Sequence, residues 1–357
     1  YKRQASGRSS ARTVATRGAC AIAKSAIFPM PLLLLIPLLL ASALPCAAVD
    51  YYGVVSRGTT AVAVGDSGTI LYSPQAPHRA WFAAATHVVE KLRAATTGAT
   101  DYVVVGDRGR LLRSITGDGV GWLPRVSGTL VDLFGVSHAR ERLVAVGAGG
   151  IILRTPTQGL GDWERLDSLA TSRDLRAVTS NESYAIAVGD SGTILWATIV
   201  STQSWSSAAQ VPTDRDLFGV AGGPGATPGR FWAVGDGGTI LRSLPNPQTW
   251  EAIPSGTTRA LRAVTFFGNF GVAVGDEGTI LYSNGGSSWT AVDSGTTQNL
   301  RGVAYTGSGE GGGFVAVGDG GTILWSALGL AWEAAVVPTQ ATTWGTLRGR
   351  WSGSPGR

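Results

Sequence analysis

From residue 50 onward the apolar positions of this chain recur in one pattern. A short β-branched run, a Gly-Asp-x-Gly turn and a second apolar run appear as Val64-Gly65-Asp66-Ser67-Gly68-Thr69-Ile70-Leu71, and variants of that stretch return up to Val317–Leu324. The first glycine of each copy falls at 65, 106, 147, 189, 235, 275 and 318, giving intervals of 41, 41, 42, 46, 40 and 43 residues. The runs are too short for helices, and the turn chemistry between them predicts a hairpin. Two further landmarks keep phase with it. A Leu-Arg/Phe-x-Val block precedes most copies, as in Leu175-Arg-Ala-Val178 and Leu217-Phe-Gly-Val220. A tryptophan follows each first glycine by 14 to 16 residues: Trp81, Trp122, Trp163, Trp205, Trp250, Trp289 and Trp332. Each unit then holds four strands, A at the Leu block, B ending at Val-Gly-Asp, C at Thr-Ile-Leu and D at the tryptophan. Such units cannot bury their apolar faces alone, and units of this length stack radially. The prediction is an all-β fold, a seven-bladed β-propeller of four-stranded antiparallel blades over residues 50–338. Repeat phase also settles a local conflict: the stretch from Thr86 to Ala95 reads as a short helix by its spacing, but phase assigns its Leu92-Arg-Ala-Ala95 to strand A of blade 2.

Charge divides the chain differently. Residues 1–49 hold Lys2, Arg3, Arg8, Arg12, Arg17 and Lys24 and no acid, so 23 of the 29 basic residues remain against 24 acids. The formal charge of +5 therefore belongs to the leader, and no basic stripe is left for nucleic acid. Both cysteines, Cys20 and Cys46, lie there too. The leader reads as a targeting segment: an acid-free stretch rich in Ser, Arg and Ala, then the apolar core Pro31–Leu40 and small residues at Ala41-Ser-Ala43 and Cys46-Ala-Ala48. A transit-like stretch before a hydrophobic signal implies a bipartite route into the thylakoid lumen; a plain secretory signal is the alternative. Residues 339–357 form a tail containing Thr342-Thr-Trp-Gly-Thr-Leu-Arg-Gly349, similar to the entrance of another copy and a candidate for ring closure. Glycine-rich insertions fall at Gly222–Gly229 and Gly307–Gly313.

Strand order places the start of A and the B–C turn at one face. Arg93, Arg176, Arg262 and Arg301 are thereby expected on one rim with the turn aspartates Asp107, Asp190, Asp276 and Asp319. Blade 3 has Phe134 and Ala148 instead, while blades 1 and 5 keep Asp66 and Asp236 beside Tyr52 and Phe218. Two readings of the arginines stand: pairs internal to each blade, or a face presented to an acidic or polar partner. The six aspartates are read as turn residues, each accepting from a backbone N–H two residues on, and the tryptophans as inter-blade packing. Catalytic constellations are not apparent. His78, His87 and His138 are scattered, no cysteine assists them, and each blade supplies too few carboxylates for calcium, so no metal or cofactor is expected. Gly147-Ala-Gly-Gly lacks the helix and third glycine of a dinucleotide loop.

The Val-Gly-Asp-x-Gly-Thr-Ile-Leu-x-Ser element followed by a tryptophan resembles the photosystem II assembly and stability factors, lumenal seven-bladed propellers related to the Asp-box repeats of neuraminidases. Thr116-Gly-Asp118-Gly-Val-Gly-Trp122 and Ser283-Asn-Gly-Gly-Ser-Ser-Trp289 come nearest to the Asp-box, each a residue short. The resemblance implies a non-catalytic role in which one face, through an arginine patch, holds the D1 reaction-centre subunit, with membrane contact only through the leader or the partner. A secreted or surface-displayed binding module is the alternative, and Asn181-Glu-Ser183 is a glycosylation acceptor that would mark that route. A sialidase-like glycosidase, needing an arginine cluster with Tyr51, Tyr52 or Tyr305 and an acid, is a remote third.

Overall fold

The Val-Ala-Val runs become the second strand of every sheet in a computed structural model. The structure describes residues 49–337 apart from 99, 115, 141, 156–161, 167–170, 200–201, 203, 224–229 and 308–311. The leader up to residue 48, the greater part of both glycine-rich insertions and the tail 339–357 lie outside the described residues. Seven four-stranded sheets form, each from strands consecutive in sequence. In blade 1 the strands are A, Tyr51–Arg57; B, Thr60–Gly65; C, Ile70–Ser73; and D, Phe82–Ala84. All its pairings are antiparallel, and the other six blades repeat the plan. Strand A of blade 2 is Leu92–Thr97, as repeat phase requires. Among the described residues the non-strand elements are short 3₁₀ turns at Gly-Asp-x-Gly, and there is no α-helix.

The B strands show why the blades need each other. Alternate side chains of a strand point to opposite faces, so Ala61 and Ala63 of blade 1 pack toward blade 7 while Val62 and Val64 pack toward blade 2. The rule holds round the ring: Ala187 faces blade 3 and Val188 faces blade 5; Ala273 faces blade 5 and Val274 faces blade 7. These residues are fully buried, each valine contributing about 1.5–3 kcal/mol. The small residue looks back to where the blade's own tryptophan sits. Trp81 packs with Val315 and Val317 of blade 7, Trp122 with Val62 and Val64 of blade 1, and Trp250 with Ile186 and Val188 of blade 4. The indole N–H usually donates to the carbonyl three residues earlier, as Trp81 to His78 at 2.9 Å and Trp122 to Gly119 at 2.8 Å. Seven apolar clusters result, each straddling one blade interface.

Blades 7 and 1 meet by the same packing, and among the described residues no strand is exchanged between them. Val49 and Val337, at the two ends of the described chain, both join their cluster. A parallel bridge between Ala80 and Val336 and a hydrogen bond from the Gly321 amide to the Val49 carbonyl (2.9 Å) close the ring.

Candidate functional site

The inner strands make the site. In every A–B pair the register slips by one residue near the start of A, as between Tyr51 and Gly53 or between Leu175 and Ala177. The extra residue of each bulge is Tyr52, Arg93, Phe134, Arg176, Phe218, Arg262 or Arg301. A bulge re-aims its side chain out of the ladder's alternation. Here all seven aim into one funnel of about 160 Å³ at the mouth of the central channel. The first glycine of each copy permits this. A Cβ on Gly275 would collide with the carbonyl oxygen of Ala260, which lies just before strand A of blade 6.

The four candidate arginines share this mouth, each paired with the turn aspartate of its own blade. Arg176 gives Nε and Nη2 to Asp190 at 2.7 and 2.8 Å, and Arg262 gives the same atoms to Asp276 at 2.7 and 2.6 Å. Arg301 and Asp319 are joined by two hydrogen bonds and Arg93 and Asp107 by one. Aromatic rings separate most of them. Phe134 lies 5.0 Å from Arg93 and 4.9 Å from Arg176; Phe218 is 4.5 Å from Arg262 and Tyr52 is 5.3 Å from Arg301. Blades without the arginine recruit another cation, Lys91 for Asp66 (3.2 Å) and Arg215 for Asp236 (3.5 Å).

Pairing and presentation are thus properties of the same side chains. The carboxylates take Nε and Nη2 in the two-pronged pairs, which leaves Nη1 outside the fork and turns the guanidinium into a fixed, locally neutralised group. Its hydrogen bond to Asp190 holds Arg176 above the usual arginine range despite burial, and Asp319 does the same for Arg301. Burial pushes Asp319 up, but hydrogen bonds from Arg301 and Asn299 outweigh it and hold the carboxyl below its ordinary value. For Lys91, burial works against the charge, and bonds to Tyr52 and Asp66 more than offset it. Among the described residues no group of three His, Cys, Asp or Glu is placed to hold a metal ion.

The turn aspartates work differently from the expectation. Their side chains face the cations, while the backbone carbonyl accepts from the residue three on, Thr279 N–H to Asp276 O at 3.1 Å. The residue between Asp and Gly is left-handed as well as the glycine, φ 53° at Glu277 and 69° at Gly278, a two-residue mirror-image turn. The amide of that middle residue is bonded from the next blade: Arg108 by Asp132, Gly149 by Asp174 and Ser191 by Asp216, each at 2.8 Å. Asn299 serves Glu277 at 3.0 Å, and Asp50 serves Gly320 across the closure at 2.9 Å. Sequence reasoning missed these staples and the aromatic half of the ring. The signal was there, an Asp or Asn before the first residue of strand A in five blades. Asp118 accepts from the Thr116 hydroxyl and from the Val120 amide.

No protein-family model matches the chain, and no curated protein matches its sequence. Among solved structures it is similar to YCF48 bound to a D1 peptide, with a TM-score of 0.62 and 18% identity over 80% of this chain and 95% of that one. It is likewise similar to YCF48 from Cyanidioschyzon merolae, with a TM-score of 0.62 and 18% identity over 79% of this chain and 96% of that one. At that identity the likeness is one of fold, and it covers nearly the whole of both solved chains.

Proposed function

We propose that this propeller is a non-catalytic scaffold that seats a segment of a partner protein on the ringed mouth of its channel, and that the partner is a photosystem II subunit of the D1 kind. The observation that carries the first half is the ring itself. Seven bulged side chains, arginine and aromatic in near alternation, converge on one funnel, and the four arginines are locked by carboxylates before any partner arrives. Locked side chains lose little rotamer freedom on binding, which is where pre-formed sites gain affinity. Flat aromatic and guanidinium surfaces suit peptide bonds and apolar or aromatic side chains, and the free Nη1 edges suit a carboxylate. Support for the second half is the likeness of fold to YCF48 bound to a D1 peptide, together with the two-part leader. That leader makes the thylakoid lumen the proposed location.

Titration calorimetry with synthetic peptides covering the soluble segments of D1 tests both halves. One peptide is expected to bind, with affinity reduced about tenfold or more by Phe218→Ala combined with Arg176→Gln, from loss of an aromatic face and a charge-assisted donor. If no D1 peptide binds, the photosystem reading fails; if the double variant binds as well as the parent, the ring is the wrong place. Asn181 favours a secretory alternative only as an acceptor near the tip of the A–B hairpin of blade 4, where its side-chain oxygen accepts from Ser183 and Tyr184. Fusion of residues 1–49 to a fluorescent reporter separates the routes, with plastid retention expected.

A further inference from the structure

The opposite face carries the A–B hairpins and C–D connections, and it is not uniform. At blades 6 and 7 it is apolar. Phe267 and Phe270 flank the tip of the blade 6 hairpin and are 45% and 38% exposed; Leu328 and Leu330 in the C–D connection of blade 7 are 63% and 52% exposed. They form one surface. Phe267 stacks on Tyr305 of blade 7 with ring centroids 3.5 Å apart, and Phe270 lies 6.1 Å from Tyr282. Gly329, between the two leucines, sits against that same Tyr282 and against Phe314.

The stretches that build the sector carry no charge of their own, and charge stands at their flanks: Arg242 donates to Ser287 at 2.8 Å, and Arg79 lies 5.5 Å from the Trp325 ring and pairs with Glu333. Residues 265–271, 282–289 and 325–332 contain no Asp, Glu, Lys or Arg. Glu310, in the A–B connection of blade 7, lies outside the described residues. The hairpins of blades 1 to 4 on the same face carry Arg57, Asp101, Arg140, Arg142 and Glu182. The apolar side chains of the sector sit at loop tips.

We infer that this sector is a lipid-contact surface, by which the propeller rests on the headgroup boundary of a bilayer with Phe267, Phe270, Leu328 and Leu330 dipping into it. A folded protein partner is oriented by charges and fixed polar groups, and here the charges beside the tips are already engaged with each other, Arg242 with Glu251 and Arg79 with Glu333. A bilayer interface asks for less: apolar tips at one level, aromatic rings near the waterline, and no charge to desolvate. Because the sector lies opposite the arginine ring, such contact leaves the channel mouth facing water. The inference is independent of which partner the ring holds.

Residues 48–357 form a compact unit without the leader and contain no cysteine, so a single introduced thiol can be labelled cleanly. An environment-sensitive dye at Asn269→Cys, on the blade 6 tip, is expected to shift to the blue with neutral phosphatidylcholine vesicles in high salt. The same dye at Glu277→Cys, on the opposite face, is expected not to respond. Phe267→Ser with Leu328→Ser should weaken co-sedimentation about tenfold or more, given two large apolar side chains removed from the contact. Silence of the Asn269 label, an equal response at both positions, or binding abolished by salt overturns the inference. So does a concentration-dependent dimer that shifts the Asn269 label without lipid, which would make the sector a contact between copies.

Discussion

Each ring arginine is held by a carboxylate and lies about one-third exposed, so the pairs contribute modestly. Arg262→Ala, which strips Asp276 of both its hydrogen bonds and Phe218 of its cation, is expected to cost about 1 kcal/mol in urea denaturation and to leave the propeller folded. His78 is a different kind of residue. It is fully buried in the C–D connection of blade 1, with Nδ1 3.0 Å from the Ser73 hydroxyl, and Nε2 has no partner among the described residues. Burial lowers its pKa from 6.5 to about 4. As pH falls the unfolded chain therefore takes up the proton first. The stability conferred by neutral His78 is full above pH 6.5, declines toward pH 4, and is level below that. The loss should amount to about 3 kcal/mol, and His78→Gln should flatten most of the slope in melting curves over that window. His138, also held low by burial, will retain a part of it.

At the scale of the strand and turn, the organising device is the bulge at the start of A. It rests on the close approach of the first glycine to the chain ahead of that strand. Gly275→Ala would drive a methyl into the Ala260 carbonyl and is expected to cost about 2 kcal/mol or more, read by chemical denaturation. The turn offers the opposite test. Ser191 is left-handed at φ 52°, its amide is bonded by Asp216 and its carbonyl by Arg173, and none of these needs a side chain. Ser191→Gly should therefore stabilise by up to about 1 kcal/mol. These elements also show where sequence reading succeeds and stops. Blade number, strand order and the tryptophan seams were legible because each rests on alternation and spacing, which a chain displays directly. The shared rim of arginines and aspartates followed from strand direction. The completed ring did not, because Tyr52, Phe134 and Phe218 read as missing arginines until the register slip put all seven in one role. The staples went unseen because Asp132, Asp174 and Asp216 bond a neighbouring blade, and their recurrence ahead of strand A does not by itself tell which blade they serve.

At the scale of the whole ring, the junction of blades 7 and 1 is, among the described residues, the one interface with no covalent connection through it. Its polar staple, Asp50 to the Gly320 amide, should matter more than its internal counterparts. Asp50→Ala is expected to lower the melting temperature more than Asp132→Ala, and to speed amide exchange in blades 1 and 7 first. Among the described residues the junction is otherwise the equal of the other six, built from the same valines, alanines and tryptophan with no interlocked strand. The place where the chain starts is then a matter of history and not of architecture. A circular permutant with Val337 joined to Val49 by a short linker, and fresh termini cut between blades 3 and 4, should reach the same disc.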